Sequence, residues 1–424
     1  MANYFPGKLG ENTIWALSGY GMRLLIQAVY FVIIARCLGP EQYGGFVAAT
    51  ALTAVISPFV GLGTGSLLVK NVARDPEVFC EYWGNGLFLT LVSGVLFTGL
   101  VLAAGVVALP RGTPLSVVFL ISVSDLILVK LLDMAAWAFQ AFEHLNRNAQ
   151  LNVMISLSRL IGIGALAVAM PHPTVKAWAA VYLAGSVLAG VAGIVWATLK
   201  LGTPKLALGR IRGECVEGFH FSVSFSAQTI YNDIDKTMVA RLSTLGAAGI
   251  YAVAYRIIDV AFTPVRALLN AAYPSFFRHG QDGLQAGVQF GRRLLLRTLP
   301  YPLFAFVILI AGASLLPHVL GEGFRQSTEA LRWLAPLPLL KTVHYFISDS
   351  LTGSGFQGTR TAAQAGVALF NIALNFALIP SFGWRGAAWA SLASDGLLVV
   401  VLWCAAEILL SRRRSGLRIS EDLA

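Results

Sequence analysis

Charged residues are scarce in this chain: Asp, Glu, Lys and Arg make up 12% of its 424 residues, and 56% of the residues are apolar. A soluble domain usually carries about a quarter charged residues. The shortage of charge and the mean hydropathy of +0.70 exclude an ordinary soluble protein and predict a polytopic membrane protein. At about 20 to 25 residues per crossing, the chain has room for roughly twelve transmembrane helices.

Cysteine and the common catalytic motifs are also scarce. The four cysteines are widely separated and include no CxxC pair, so neither a disulfide framework nor a zinc site is expected. The sequence contains no GxxxxGK[ST] phosphate-binding loop and no HExxH metal motif. His220 and His344 could titrate, although a lone membrane histidine is more often a packing residue. We therefore expect no metal, no cofactor and no enzymatic activity.

Glycine, proline and short charged loops divide the apolar sequence into twelve predicted helices. Their ranges are 13–35, 42–68, 83–108, 115–141, 149–169, 176–199, 217–241, 247–273, 292–316, 328–352, 361–379 and 385–410. We predict an all-α integral membrane protein with two six-helix lobes, residues 1–199 and 215–411. A basic linker, 200–214, joins the lobes, and a basic tail, 412–424, closes the chain.

An internal repeat supports two related lobes. The run 34–58 aligns with the run 239–264, and Gly44 matches Gly249 in this alignment. Two related halves around a charged midplane are a common transporter architecture. The excess of Lys and Arg in the loops falls on the side that carries both termini, which predicts that both termini are cytoplasmic.

Polar side chains recur at helical spacing within the apolar segments. Ionisable groups at membrane depth are costly, so they usually face a bundle interior and mark a substrate or ion route. The predicted substrate-binding residues are Arg23, Gln27, Lys130, Asn232, Lys236, Tyr255, Arg256, Arg266, Lys341 and Tyr345. The predicted ion-coupling residues are Asp133, Asp235, Asp259 and Asp349.

The chemistry of these side chains favours a phosphorylated glycan. A guanidinium donates two parallel hydrogen bonds to phosphate, and tyrosine faces pack against sugar rings. Ion pairs that only fix packing are the alternative, as for Lys130 with Asp133 and Arg256 with Asp259, each at i,i+3 spacing. Arg23 has no carboxylate within a turn of its own helix, which favours a functional role for it.

The predicted polar side chains would line a central cavity between the lobes. Four predicted helices contribute little to that cavity. The third, fifth, sixth and ninth helices are mostly apolar. Arg159 in the fifth helix has no place in this interpretation.

Three sequence elements resemble the bacterial polysaccharide flippases, which move O-antigen and exopolysaccharide units and belong to the multidrug/oligosaccharidyl-lipid/polysaccharide exporter superfamily. The first element consists of Ala35, Arg36, Leu38, Gly39, Pro40, Tyr43 and Gly44. The second consists of Asp235, Lys236, Gly249, Tyr251, Pro264, Tyr273 and Pro274. The third is the run 353–358, which follows the predicted tenth helix.

This resemblance implies a V-shaped bundle that alternates between inward-open and outward-open states. It implies a substrate, undecaprenyl-diphosphate-linked oligosaccharide, that crosses the bacterial cytoplasmic (inner) membrane. It also allows H+ or Na+ as coupling ion and association with polysaccharide polymerase machinery. An Arg in the first helix matters in related lipid II flippases, and Arg23 lies in the matching helix. The cavities of the family are often cationic, whereas the charges here look close to balanced.

Two other functions fit parts of the sequence. A cation-coupled drug or small-molecule exporter of the same superfamily would use Asp235, Asp259 and Asp349 as coupling sites. An integral membrane enzyme acting on lipid-linked glycans would need a catalytic constellation on a loop. The visible loops offer little for it beyond Glu322 and Glu329.

Overall fold

The computed structural model describes residues 7–72, 74–110, 113–207, 209 and 233–421. These residues form helices joined by turns, and no β-strand occurs among them. The predicted fold class, an all-α membrane protein, is confirmed. The chain divides by its internal contacts into two compact units, residues 1–249 and 250–424.

The described residues of the first unit form eight α-helices and the start of a ninth. They are α1 (Gly7–Ile56), α2 (Thr64–Val72), α3 (Phe79–Ala108), α4 (Leu115–Ser122), α5 (Val129–Ala141), α6 (Leu145–Ala169), α7 (Val175–Leu201) and α8 (233–242). Two 3₁₀ segments, Ser57–Gly63 and Pro76–Val78, flank α2. The ninth helix, α9 (Leu245–Gln281), begins in this unit.

The described residues of the second unit form the rest of α9 and seven further helices. They are α10 (Leu284–Thr298), α11 (Pro300–Gly312), α12 (Leu316–Leu320), α13 (Arg325–Leu334), α14 (Leu337–Gly353), α15 (Gln357–Phe382) and α16 (Trp384–Glu421). The 3₁₀ segments Ala313–Leu315 and Glu322–Phe324 flank α12.

Nine helical stretches of the described residues are long and apolar enough to cross a membrane. The first, Gly21–Val72, has 52 residues, enough for two crossings at about 1.5 Å per residue. The predicted seventh helix, 217–241, lies mostly outside the described residues. The predicted tenth helix corresponds to α13 and α14, and α14 has only 17 residues. With two crossings in the first stretch and one in α13 and α14, the described residues account for eleven of the twelve predicted crossings, and the seventh stays a prediction.

The turn between the first two crossings lies where the sequence predicts it. Gly39 has φ 68°, a left-handed conformation that glycine adopts without a Cβ clash. Pro40 follows, and proline suits the first position of a helix because its missing N–H has no partner there. The break therefore needs only these two adjacent residues.

The fourth crossing is not a regular α-helix. Val123–Leu128 form a π-helical segment between α4 and α5. Such a segment shifts every following side chain around the helix axis, and π segments are frequent at functional sites. This segment carries Ser124 and Asp125. A uniform period of 3.6 residues therefore does not predict the helix face on which these two side chains lie.

The helices pack through aromatic side chains and through small residues. In the first unit, Trp83 is fully buried and stacks on Phe79 with ring centroids 6.0 Å apart. In the second unit, Phe276 packs against Phe346 in a separate apolar cluster. Gly65 lies against the Trp137 ring so closely that a Cβ would overlap it. Close approach at small residues is typical of membrane helix pairs.

Candidate functional site: a charged pocket in the first unit

Two arginines from different helices, Arg23 of α1 and Arg159 of α6, line one pocket. The other lining residues are Val129, Leu132, Asp133, Ala136, Leu151, Asn152 and Ile155. The cavity volume is about 60 Å³, enough for a few water molecules. The pocket therefore combines an aliphatic wall with charged and amide groups.

Neutral amides orient Arg23. Its Nη1 donates to Asn152 Oδ1 at 3.0 Å. Asn152 Nδ2 donates in turn to Asn148 Oδ1 at 2.8 Å, and Asn148 Nδ2 donates to Gln140 Oε1 at 3.3 Å. Among the described residues, no carboxylate lies within ion-pair distance of Arg23. The guanidinium is thus held in place while its charge stays uncompensated by direct contact.

Arg159, in contrast, has a carboxylate beside it. Its Nη2 lies 3.4 Å from Asp125 Oδ1, which is long for a charge-assisted hydrogen bond. The Tyr182 hydroxyl donates to the same oxygen at 2.8 Å, and the guanidinium lies 4.4 Å from the Tyr182 ring centroid. Arg159 Nε is buried without a hydrogen-bond partner in the described part of the chain. Asp125, on the π-helical segment, is thus held closely by Tyr182 and only at long distance by Arg159.

A second acid and base lie on α5. Lys130 Nζ is 3.8 Å from Asp133 Oδ2, one turn along the helix. The Lys130 side chain is 20% exposed and the Asp133 side chain 39% exposed. Asp133 also lines the pocket. Together with Arg23, Arg159 and Asp125, these groups give the cluster three basic and two acidic side chains. The cluster carries one positive charge in excess.

The other predicted residues of the first unit lie outside this lining. Gln27 is half-buried one turn after Arg23 on α1. Lys236 is buried on α8 and forms an ion pair with Asp233. Asp235 is buried, and its Oδ1 accepts from the backbone N–H of Lys236 at 2.7 Å. Asn232 lies outside the described residues.

The predicted tyrosine and lysine sites of the second unit come together. Lys341 is buried and its Nζ donates to the Tyr255 hydroxyl at 2.8 Å. Tyr345 packs between the His344 ring at 4.7 Å and the Phe262 ring at 5.5 Å. These side chains form a second polar region, which belongs to α9 and α14.

The ion pair observed on α9 is not the one that was considered as an alternative at i,i+3 spacing. Asp259 Oδ1 lies 3.9 Å from Arg266 Nη2, two turns along the helix, where the spacing predicts Arg256 as partner. Arg256 and Arg266 are both exposed. Residues seven apart lie two helical turns apart on the same face. The flexible side chain of Arg266 can therefore reach Asp259 as readily as that of Arg256.

Asp349 pairs with a residue that the sequence places in a loop. Arg360 Nη1, from the first turn of α15, lies 3.2 Å from Asp349 Oδ1 and donates to Thr352 Oγ1 at 2.9 Å. The contact joins the end of α14 to the start of α15. Asp349 is therefore part of an ion pair between helices.

Sequence reasoning missed four residues of the charged pocket and its surroundings, namely Asn152, Arg159, Asp125 and Tyr182. Arg159 of the predicted fifth helix had no place in the interpretation, and Asp125 of the fourth, Asn152 of the fifth and Tyr182 of the sixth were not singled out. One available signal was Asp125, an acid in a long apolar run, because such a residue needs a partner on another helix.

A membrane-embedded helical chain with a charged pocket inside one bundle has the architecture of a multi-pass membrane transporter. Residues 9–279 match the family described as "Polysaccharide biosynthesis protein". Because the match covers more than half of the chain, the protein belongs to this family.

Two relatives match over most of their length. A protein of Escherichia coli (strain K12) named as an O-antigen transporter is 23% identical over 411 residues, which cover 93% of this chain and 95% of that protein. The low-salt glycan biosynthesis flippase Agl15 named in Haloferax volcanii is 23% identical over 383 residues, covering 89% and 79%. The similarity therefore extends through both halves of the chain.

Solved structures share the fold. An inward-facing multidrug resistance MATE family transporter of the MOP superfamily superposes with a TM-score of 0.77 at 14% identity, covering 94% of this chain and 99% of that chain. The lipid II flippase MurJ in an inward closed conformation gives a TM-score of 0.68 at 16% identity, covering 93% and 87%. At this identity the likeness concerns the fold alone.

Proposed function

We propose that the protein is a flippase that moves undecaprenyl-diphosphate-linked oligosaccharide units across the bacterial cytoplasmic membrane for polysaccharide biosynthesis. Membership of the polysaccharide biosynthesis family supports this proposal. The names of the two relatives, an O-antigen transporter and a glycan biosynthesis flippase, support it further. Both termini are cytoplasmic in this proposal, and the lobes 1–199 and 215–411 alternate in access to the two sides.

The observation that most directly supports the proposal is the hydrogen bonding of the Arg23 guanidinium. Its guanidinium is oriented by Asn152, a neutral amide, and forms no ion pair with a described residue. A preoriented cation without a direct countercharge suits an anionic group, and a phosphate oxygen accepts two parallel hydrogen bonds from such a fork. The cavity of about 60 Å³ is too small for an oligosaccharide. Only the diphosphate end of the substrate reaches it.

Arg159 supplies the second cation by exchange of partners. Its contact with Asp125 is long, at 3.4 Å, and its Nε has no partner within the described chain. An incoming diphosphate competes with Asp125 for the guanidinium. Tyr182, which donates to Asp125 at 2.8 Å, keeps the displaced carboxylate hydrogen-bonded. Binding is then reversible, as a transporter requires.

The remaining predicted residues keep their proposed roles. Tyr255 and Tyr345 offer faces for sugar rings, and the other predicted contacts are Gln27, Lys130, Asn232, Lys236, Arg256, Arg266 and Lys341. The proposed coupling ion is H+ or Na+, with Asp133, Asp235, Asp259 and Asp349 as the predicted sites. Association with a polymerase is part of the same proposal.

A binding experiment tests the role of Arg23. Purified full-length protein is titrated with undecaprenyl diphosphate, and undecaprenol serves as the uncharged comparison ligand. Loss of a hydrogen bond to a charged group costs about 1.5–3 kcal/mol, which corresponds to roughly ten- to a hundredfold in Kd. Arg23→Gln should weaken diphosphate binding by that factor and leave undecaprenol binding unchanged.

Lys176→Gln is the matched control, because Lys176 is an exposed cation at the start of α7. Equal binding by Arg23→Gln and Lys176→Gln would remove Arg23 from the site. In cells, deletion of the gene should abolish surface glycan and accumulate lipid-linked units inside. Normal glycan together with drug hypersensitivity would favour the small-molecule exporter instead.

A further inference from the structure

Three helices of the second unit meet along a buried polar seam that the proposed substrate site does not use. The seam consists of His344 and Ser348 on α14, Asn371 and Asn375 on α15, and Ser391, Ser394 and Asp395 on α16. All seven side chains are buried, and on each helix they recur at spacings of three or four residues, which places them on one face. Buried polar groups inside a membrane bundle are costly and mark function more often than chance.

His344 and Asp395 form the centre of this seam. His344 Nε2 lies 2.9 Å from Asp395 Oδ1, and the two side chains are 2% and 3% exposed. Ser394, the neighbour of Asp395, accepts a hydrogen bond from Asn371 Nδ2 at 3.0 Å. Asn375 Nδ2 donates to Asn371 Oδ1 at 2.8 Å. These hydrogen bonds therefore join α14 to α16 and α15 to α16.

The network is incomplete in a specific way. His344 Nδ1, Ser348 Oγ and Asn375 Oδ1 are buried and have no hydrogen-bond partner in the described part of the chain. Buried polar atoms are normally satisfied, and each exception needs an explanation. When Nε2–H of a neutral imidazole donates to Asp395, the lone pair of Nδ1 is free to accept a proton. Two of the unsatisfied atoms are oxygens, which can accept a hydrogen bond from the new N–H.

The partner of Asp395 distinguishes it from three of the predicted coupling carboxylates. Asp133, Asp259 and Asp349 lie beside Lys130, Arg266 and Arg360, whose charge is permanent at physiological pH. Imidazole is the side chain that changes its charge in this range. A histidine–aspartate pair can therefore gain or lose one charge in a buried site.

Several ionisable groups surround the pair. On α14 they are Lys341, bound to the Tyr255 hydroxyl, and Tyr345, stacked on His344. From α9 come Tyr255 and Tyr251, the latter hydrogen-bonded to Ser391 at 2.9 Å. Other ionisable groups of helices packed against α14 are Arg360, which binds Asp349, Tyr301, which donates to Ala261 O, and the exposed Arg292, Arg293 and Arg297.

We infer that His344 and Asp395 form the proton-binding site that couples proton movement to substrate movement. A proton from water on one side of the membrane adds to His344 Nδ1, Asp395 balances the imidazolium charge, and the proton leaves to water on the other side. The N–H gained at Nδ1 can donate to the unsatisfied oxygens of Ser348 on α14 or Asn375 on α15. Formation of such a hydrogen bond favours a different packing of the three helices. This inference rests on the proposed flippase function.

A proteoliposome experiment tests the coupling. Vesicles containing the full-length protein receive a lipid-linked oligosaccharide and an imposed difference of one pH unit. With one proton per substrate, the distribution between the leaflets should shift about tenfold per pH unit for the unmodified protein. His344→Gln should still flip the substrate, but its steady-state ratio should not respond to the gradient. His172→Gln, at an exposed histidine, is the control and should respond fully.

A second measurement separates failure of this inference from failure of the proposed function. Protein labelled with ¹⁵N-histidine is examined by NMR without substrate, and the His344 signals are identified by their absence in His344→Gln. They should move with pH, and Asp395→Asn should change that response. Signals that stay constant from pH 5 to pH 9 would overturn the inference even if flipping is observed. So would a full gradient response of His344→Gln. Absence of any flipping by the unmodified protein, with His344 signals that move with pH, would contradict the substrate and not the proton site.

Discussion

Gly44 and Gly249 occupy equivalent positions in the two copies of the internal repeat, and each packs against the backbone that precedes the other. A Cβ on Gly44 would overlap the carbonyl oxygen of Leu245, and a Cβ on Gly249 would overlap the carbonyl oxygen of Pro40. Pro40 and Leu245 are themselves equivalent in the repeat. A reciprocal contact of this kind is expected where two related segments meet about a pseudo-two-fold axis.

The first prediction concerns this contact. Gly44→Ala should lower stability because the added methyl meets backbone atoms, which cannot move aside as a side chain can. Overpacking typically costs about 1–3 kcal/mol. Gly45→Ala is the matched control, since its Cβ would meet only the Leu245 Cδ1 at 3.8 Å. Both variants gain the same helix propensity, so thermal unfolding in detergent isolates the contact. Equal melting temperatures would refute the close packing.

The second prediction concerns Asp125 and Arg159, a half-buried pair whose side chains are 21% and 23% exposed. Asp125→Asn or Arg159→Gln alone should destabilise the protein by about 1.5–3 kcal/mol, because a partly buried charge loses a charged hydrogen-bond partner. The double variant should recover much of that loss, since no unpaired charge remains. Thermal unfolding of the four proteins gives the coupling.

An exposed pair provides the comparison for this prediction. Arg385 and Glu329 form a two-bond contact at 2.8 Å with side chains 48% and 45% exposed. Glu329→Gln should cost at most about 1 kcal/mol, because solvent screens the pair. A larger loss for Glu329→Gln than for Asp125→Asn would show that Asp125 and Arg159 do not depend on each other.

The third prediction concerns the tyrosines that face α14 and α16. Tyr255→Phe removes the acceptor for Lys341 Nζ and should cost about 1.5–3 kcal/mol, because the acceptor serves a charged donor. Tyr251→Phe removes a bond to Ser391, a neutral hydroxyl, and should cost about 0.5–1.5 kcal/mol. Chemical unfolding of both variants measures the difference. Reversal of this order would mean that Lys341 does not depend on Tyr255.

Some features of the site followed from the sequence because they depend on local information. Arg23 was a candidate because it is a cation in an apolar run without an acid nearby on its helix, and the structure places it in the pocket lining. The contact between Lys130 and Asp133 was an alternative to their predicted roles, because residues three apart share a helix face. The Gly39–Pro40 turn was predicted because it needs only the conformational preferences of those two residues.

Other features depend on residues far apart in the chain. Arg159 meets Asp125 across 34 positions, and His344 meets Asp395 across 51. The π-helical segment rotates Asp125 away from the face that a 3.6-residue period assigns to it. A single sequence does not show which helices pack against each other. These partners therefore could not be predicted from residue spacing.

The sequence by itself determined that this protein is a helical membrane protein of about twelve crossings with a repeated half. Length, apolar content and the Gly and Pro breaks suffice for that, since a bilayer requires every backbone group to bond within its own helix. Only the tertiary structure decided which charges are compensated. Arg23 has an amide as its partner, Arg159 has Asp125, and Asp395 has His344. Charge compensation depends on distances between helices, and packing alone sets those distances.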